Sequence, residues 1–340
     1  MIKKHIKFDE ALHKYTDEDN IVYTSVTTLI GRVEPKYDSE FWAVYRVLDR
    51  ENWKPRPFLE ERKIEVLYGK TRVKFSIEMI MNGALPVKIE HEAVLSDWED
   101  IKDTACRWGT SKHAFLEDSL NKITDTTKIT IDVIKKNTEQ HGYAFKVTNK
   151  KELDNSPLKF AYPSIYREIL KYIDQGWTLF SEKRVYDAEY RVAGTIDLLL
   201  VKDGMCFIID WKTNREKLKF EPGYYKKEWN ANRTKKVKTT EWVSTKDKLN
   251  YPLQSVAHCK GNTYIMQLSS YHYLCFRWGL KPLGTLLVHI RPKCDAEGEI
   301  LLEHNGERIE HEPEFYTLPI WKNEVKLLFQ WHKNQWENNK

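Results

Sequence analysis

The sequence predicts a mixed fold of the α/β (α+β) class, in which helices flank a central mixed β-sheet and a largely helical N-terminal part precedes it. Three observations carry this. Short β-type runs alternate with segments of helical periodicity along the chain. Three of those runs follow one another between residues 179 and 211, with helical segments on both sides. With 340 residues, 41% of them hydrophobic, and 12 Trp, 18 Tyr and 13 Phe, the chain has core material for one large domain or two small ones. That aromatic content also excludes the composition of a disordered chain.

Taken in order, residues 5–8, 13–16 and 21–24 read as short strands. Ser25 is suited to cap a helix over 26–30, which Gly31 would stop. A second helix is expected over 40–49, where Phe41, Val44, Tyr45 and Leu48 share a face; Pro55 and Pro57 then break the chain. From about Phe75 the chain reads as mainly helical. Trp98, Ile101, Ala105 and Trp108 recur at helical spacing within 98–120, with a break expected at Gly109. The Thr- and Lys-rich stretch 123–160 reads as loop around a short strand at 129–133, and the helical pattern resumes over 166–175.

The runs 179–187, 192–201 and 205–211 are β-type, and Lys202-Asp203-Gly204 supplies the Asp-Gly turn of a hairpin between the last two. An aromatic-rich helix over 263–278 ended by Gly279, a strand over 283–290, an acidic hairpin and an amphipathic helix over 324–336 complete the chain. The expected organisation is an N-terminal part, 1–100, packed on a core, 101–340, with an insertion at about 214–262.

Several function classes fall away. No run approaches the roughly 18 consecutive apolar residues of a membrane span. Asp9 and Glu10 follow the opening lysines with no apolar stretch between, unlike a secretory signal or an acid-poor transit peptide. Five cysteines, odd in number and without a C-x-x-C pair, do not make a disulfide framework, a zinc site or a redox couple. A cytoplasmic protein with no membrane association is expected. No Walker-type phosphate loop or glycine-rich cofactor loop is present, and no Ser-His-Asp or Cys-His pattern suggests a covalent mechanism.

The formal charge is +5, and its distribution is uneven. Residues 212–248 hold twelve Lys/Arg against five Asp/Glu, whereas 295–314 hold eight acids against one arginine. The basic segment interleaves Tyr224, Tyr225, Trp229 and Trp242 with its cations. Charge that follows a backbone and rings that stack on bases together suit single-stranded nucleic acid, with Arg233, Lys235, Lys236, Lys238, Trp229 and Tyr224 as candidate contacts. A solvated basic hairpin is the alternative.

The strongest chemical signal is Asp197 in GTIDLLLV with Asp210 and Lys212 in CFIIDWKT. Side chains alternate along a strand, so Asp210 and Lys212 share a face with Ile208 while Trp211 points the other way. An acid and a base at the end of an apolar surface are costly without partners. Asp197 in the adjacent strand can supply a second carboxylate. Converging carboxylates suit Mg²⁺ or Mn²⁺, beside which a lysine can hold a water and offset phosphate charge. The alternative is a buried ion pair that only fixes the hairpin.

GTID followed thirteen residues later by the Asp of D-W-K resembles the PD-(D/E)xK nuclease superfamily, and most closely its RecB-like exonuclease branch with phage and mitochondrial genome-maintenance members. The upstream G-x-x-x-H-x-x-x-E pattern matches Gly109, His113 and Glu117, and the downstream Q-x-x-x-Y pattern matches Gln267 and Tyr271. Glu182 stands where relatives often carry an acid at the start of the preceding strand, and the opening H-x-Y…S-V-T-T resembles that of phage and mitochondrial members.

The resemblance implies a restriction-endonuclease-like core and a metal-dependent DNA exonuclease acting on single-stranded or end-bearing DNA in replication, recombination or repair. It implies a phage or bacterial setting, with the host cytoplasm as compartment if phage-encoded, and a helicase or strand-annealing protein as a partner. His113, Asp197, Asp210 and the Ile209 carbonyl would hold Mg²⁺ or Mn²⁺. Lys212 would position the attacking water, Glu117 would orient His113 or bind a second metal, and Gln267 and Tyr271 would contact the phosphate backbone or orient Lys212. Relatives that hold an iron–sulfur cluster have closely spaced C-terminal cysteines. Cys259, Cys275 and Cys294 stand sixteen and nineteen residues apart, so no cluster is expected. A structure-specific or restriction-type endonuclease on the same core, and a nucleic-acid-binding subunit without catalysis, are the alternative functions.

Overall fold

The computed structural model describes residues 6–9, 12, 14–121, 145–147 and 150–338. Three short antiparallel strands open it, β1 (Lys7–Asp9), β2 (Lys14–Thr16) and β3 (Val22–Ser25), followed by α1 (Val26–Gly31) and α2 (Ser39–Arg50). Ser25 caps α1 by accepting the Thr28 amide, and Asp38 caps α2 through the Phe41 amide. Gly31 lies inside α1, which closes one residue later at Arg32.

A meander the periodicity reading passed over comes next: β4 (Arg56–Phe58), β5 (Lys63–Tyr68) and β6 (Thr71–Ser76) form a separate three-stranded sheet. Ile64 and Val66 of β5 pack with Phe41, Val44 and Leu48 of α2 in a small core of their own. A short helix, α3 (Ile77–Met79), runs into a π-helical turn at Ile80–Ala84.

Helix α4 (His91–Asn121) is 31 residues long and continuous, so the break expected at Gly109 does not occur and one helix crosses residue 100. The strand expected at 129–133 lies outside the described residues. After β7 (Phe145–Val147), the segment expected as loop carries two short helices, α5 (Lys150–Asp154) and α6 (Leu158–Ala161), before α7 (Pro163–Asp174).

The long strands β8 (Thr178–Asp187), β9 (Val192–Lys202) and β10 (Met205–Lys212) then form an antiparallel meander. The insertion is a two-stranded ribbon, β11 (Gly223–Trp229) and β12 (Lys236–Ser244). Helix α8 (Lys260–Arg277), β13 (Lys281–His289), β14 (Glu314–Thr317) and α9 (Lys322–Glu337) finish the chain. Between β13 and β14, the stretch expected as an acidic hairpin folds back on itself through antiparallel bridges, Pro292 to Glu310, Cys294 to Ile300 and Leu302 to Arg308, without forming longer strands.

The central sheet is mixed and has nine strands among the described residues, in the order β1-β2-β3-β9-β10-β13-β14, with β8 on the other edge of β9 and β7 beyond it. β10 runs parallel to β13, and β3 runs parallel to β9. Helices cover both faces. On one, α8 and α9 bury Met266, Leu274 and Phe329 against Ile208 and Leu199; on the other, α4 and α7 bury Leu116 and Ile169 against Ile209 and Trp211. This is a mixed α/β fold with a central mixed sheet flanked by helices. Among the described residues no helix is long and apolar enough to cross a membrane.

Candidate active site

One edge of β9 is shared end to end by two strands. β3 pairs at Val192 and Ala193, and β10 pairs from Leu198 onward, leaving Gly194–Asp197 between them without a strand partner on that side. At this opening three acids line up across the sheet. Ser181 pairs with Leu198 and Lys183 with Ile196, so Glu182 of β8 stands opposite Asp197 of β9. Ile209 pairs with Leu198, which sets Asp210 of β10 at the next position opposite Asp197. The Asp197 carboxylate takes over the ladder there, its Oδ2 accepting the Trp211 amide at 2.8 Å.

The acid row is also a kink. Phe180, Lys183 and Val185 all lie toward the face covered by α8, so the alternation of β8 slips by one residue at Glu182. Glu182 has φ 51°, a left-handed conformation that is strained for a residue with a side chain. β9 slips at the matching place: Ile196 and Leu199 face one core, Leu198 and Leu200 the other, with Asp197 at the change of phase. The slip turns both carboxyls toward the opening.

Asp210 and Lys212 share a face, with Lys212 Nζ 2.5 Å from Asp210 Oδ2, and Trp211 is buried on the opposite side. Burial raises the Asp210 carboxyl to about 6, against the pull of Lys212 and with the charge of Asp197 adding to it. Glu182 is pushed higher, to about 9, by burial and by the charges of Asp197, Glu117 and Asp210. The Lys212 ammonium is held above its ordinary value: burial lowers it, but Asp210 and Asp197 more than offset that.

Two helices bring the remaining groups to this row. Gly109 of α4 sits so close to the chain just past β10 that a Cβ there would stand 2.9 Å from Thr213 Oγ1. That approach, one helical turn before His113, sets His113 Nδ1 3.8 Å from Asp197 Oδ2. Glu117, one turn further, contributes its charge to Glu182. From the opposite face, Tyr271 of α8 lies over Gly194, where a Cβ would stand 2.6 Å from its Cε1, and Gln267 Nε2 donates to the Tyr271 hydroxyl at 3.2 Å. Burial and the Asp210 charge keep that hydroxyl protonated, its pKa well above the ordinary value.

Sequence reasoning passed over Tyr264 and Asn214. The Tyr264 ring lies 5.2 Å from the Lys212 ammonium, and its hydroxyl donates to Asn214 Oδ1 at 2.5 Å. Tyr264 precedes Gln267 by one helical turn, a spacing that puts it on the same face and could have singled it out.

A divalent cation fits this site on two grounds. The donors are hard oxygens with one imidazole, and Asp210 Oδ1 is buried without a hydrogen-bond partner. Three His, Cys, Asp or Glu side chains do not already converge into a ready-made ligand set among the described residues; instead His113 leans on Asp197 and Lys212 on Asp210. The cysteines lie apart from this arrangement: Cys206 and Cys275 are buried, Cys259 and Cys294 half-buried and Cys106 exposed, all as free thiols.

The candidate nucleic-acid contacts of the insertion are placed differently from one another. Arg233 Nε donates to the Arg50 carbonyl at 2.7 Å, Trp229 Nε1 donates to Asp49 Oδ2 at 3.0 Å, and Lys236 pairs with the same Asp49. These three tie the ribbon tip to the end of α2. Lys235 pairs with Glu299 and Lys238 with Glu216. Tyr224 remains open, 57% exposed.

No protein-family model, curated protein or solved structure matches the chain. Its function is therefore read from its own residues.

Proposed function

We propose that this protein is a Mg²⁺- or Mn²⁺-dependent nuclease that hydrolyses phosphodiester bonds of DNA, working as an exonuclease on single-stranded or end-bearing DNA. The observation that supports it most is the row Glu182–Asp197–Asp210 across three strands, with the Lys212 ammonium beside Asp210 and His113 beside Asp197. A structural ion pair needs one acid and one base; this opening gathers three acids, and beside the oxygen that faces Lys212 it leaves the buried Oδ1 of Asp210 without a hydrogen-bond partner.

Asp197, Asp210, His113 and the Ile209 carbonyl would hold the cation, which when bound lowers the pKa of a coordinated water and neutralises charge on the scissile phosphate. Lys212 stays protonated and holds the attacking water or a phosphate oxygen. Tyr264 and Asn214 fix the direction from which its ammonium reaches the site, and Gln267 sets the Tyr271 hydroxyl toward the same carboxylates. Asp210 must give up its proton to accept a cation, so the activity should weaken as the pH falls through about 6.

An end-dependent activity is favoured over internal cutting by the insertion ribbon. It begins at Gly223, eleven residues beyond Lys212, and is fastened at its tip to the end of α2, so it forms a loop held at both ends. A strand threaded through such a loop would enter by an end. The test is digestion of linear and covalently closed circular DNA, single- and double-stranded, with Mg²⁺, Mn²⁺ or EDTA. Metal-dependent loss of linear strands with circles spared supports the reading. Cut circles would replace it with an endonuclease, and intact DNA of every form with binding retained would leave a non-catalytic nucleic-acid-binding protein.

A further inference from the structure

A cavity of about 570 Å³ opens where the chain leaves β10, two residues beyond Lys212. One wall is a side of the ribbon, where the cross-strand pair Tyr225 and Trp242 set their rings 5.0 Å apart; the other is the start of α8, with Cys259 and Lys260. Two glycines shape it. At Gly223, φ is 153° and a Cβ would stand 2.4 Å from the Val243 carbonyl and 2.8 Å from the Trp242 ring, so the ribbon root closes tightly and fixes the indole in the wall. At Gly261 a Cβ would stand 2.5 Å from the Lys219 carbonyl, which presses the start of α8 onto the opposite side.

The lining combines rings with six Lys and Arg side chains, against the three acids Glu216, Glu221 and Asp247. Lys219 Nζ lies 5.5 Å from the Tyr225 ring and 5.1 Å from that of Trp242, and Lys238 Nζ lies 4.0 Å from Tyr225. Lys238 has Glu216 as a counter-ion, but among the described residues no carboxylate stands within ion-pair distance of Lys219, Lys227 or Lys260. Partial desolvation and the charge of Arg215 hold Lys227 below its ordinary value, as expected for a cation among cations. Tyr264 connects this cavity to the acid row: its ring lies 5.2 Å from Lys260 as well as 5.2 Å from Lys212, and its hydroxyl partner Asn214 lines the cavity.

An excess of cations over acids, set among aromatic rings in a cleft, matches a ligand with phosphates and flat faces. In a duplex the base faces are stacked away from such rings; in a single strand they are free. We infer that the cleft is a single-strand nucleotide subsite, in which Tyr225 and Trp242 receive a base and Lys219, Lys227 and Lys260 receive its phosphates. Its placement next to the scissile bond rests on the nuclease reading above; its ligand class does not. It also moves nucleic-acid contact away from Arg233, Lys235 and Lys236, whose side chains are engaged within the chain.

The test is fluorescence anisotropy of a short labelled oligodeoxythymidylate, and of a duplex of equal length, titrated with the full chain in EDTA. Tyr225→Ala should weaken single-strand binding by about tenfold through the lost stack. The double variant Lys227→Gln, Lys260→Gln keeps every ring and removes two charges; its salt slope should drop by about 1.4, at about 0.7 per phosphate contact. Lys235→Gln should keep the wild-type slope. Wild-type affinity and slope in the double variant, or a duplex bound as tightly as the single strand, would overturn the subsite. Because no cation is present, the two readings fail separately. A protein that binds through this cleft yet cleaves nothing with Mn²⁺ would retire the nuclease and keep the subsite. One that cleaves while all cleft variants bind normally would do the reverse.

Discussion

Tyr271 rests on Gly194 with no room for a methyl group between them: a Cβ on Gly194 would lie 2.6 Å from Tyr271 Cε1. Gly194 sits in the part of β9 that β3 and β10 leave without a partner, so the aromatic ring covers the gap in the sheet directly beside the acids. Gly194→Ala must displace the ring. It should cost about 1–3 kcal/mol of stability, the range for overpacking a filled core, and reduce activity further by moving the hydroxyl that Gln267 holds. Denaturant melts with assays under native conditions check this; a variant equal to wild type in both would mean that Tyr271 yields without consequence.

Lys212 holds the only ammonium drawn to Asp210 at ion-pair distance among the described residues. On the proposed function, Lys212→Ala should lower cleavage by about a hundredfold or more while single-strand binding in EDTA persists, because the lost group is the one proposed to act on the reacting atoms rather than on the bound strand. Turnover at the wild-type rate would remove Lys212 from the chemistry.

Glu182 supplies a pH signature. Its carboxyl is raised to about 9 in the folded chain, against an ordinary value near 4.5, so between those values the folded state keeps a proton that the unfolded state has released. Stability from this group is present below the lower value and is lost progressively as pH rises toward 9. Glu182→Gln removes that loss, and without divalent cations the variant should melt higher than wild type by a margin that widens from about pH 5 to pH 9. A constant margin, or a lower melting point, would place Glu182 in solvent.

His332 of α9 acts in the opposite sense. Burial and the nearby Arg32, whose guanidinium nitrogen lies 3.2 Å from its Nδ1, lower its pKa from 6.5 to about 4. The unfolded chain therefore binds a proton between these values that the folded chain does not, so stability is full above about 6.5 and falls as pH drops toward 4. In His332→Gln that slope should shrink, which thermal melts across the window would detect; an unchanged slope would assign the acid sensitivity elsewhere.

Much of the sheet was legible because its signals are local. Asp203-Gly204 sets the turn between β9 and β10, and Ser25 caps α1 as its position suggests. The meander of β4–β6 carried a readable signal too, Ile64 and Val66 alternating with Lys63 and Glu65, but the prolines at 55 and 57 read more strongly as an interruption. Gly109 illustrates a residue read with the wrong physics. Its missing side chain serves a close contact with Thr213 rather than a helix break, and only the tertiary packing reveals that.

The site divides in the same way. Residue types and spacing bring out Asp197, Asp210, Lys212, His113, Gln267 and Tyr271, and the fold gathers them around one opening. The register that aligns Glu182 with Asp197 and Asp210 depends on strand pairing, and the left-handed backbone at Glu182 has no sequence signature. Nor could composition tell which lysines of the insertion are engaged. Lys236 finds Asp49 and Lys235 finds Glu299 across long stretches of chain, whereas Lys219, Lys227 and Lys260 meet in a cleft that exists only once the ribbon has folded back.

The central claim is that the acid row serves metal-dependent hydrolysis. Its most direct measurement is the time course of phosphodiester cleavage on end-labelled linear single-stranded DNA with Mn²⁺, for wild type beside Asp210→Asn. The substitution keeps size and shape and removes the charge that a cation requires. The account predicts steady release of product by wild type, none in EDTA, and loss of about a hundredfold or more in Asp210→Asn with oligonucleotide binding retained. Cleavage by Asp210→Asn at the wild-type rate, or wild-type cleavage that persists in EDTA, would contradict it.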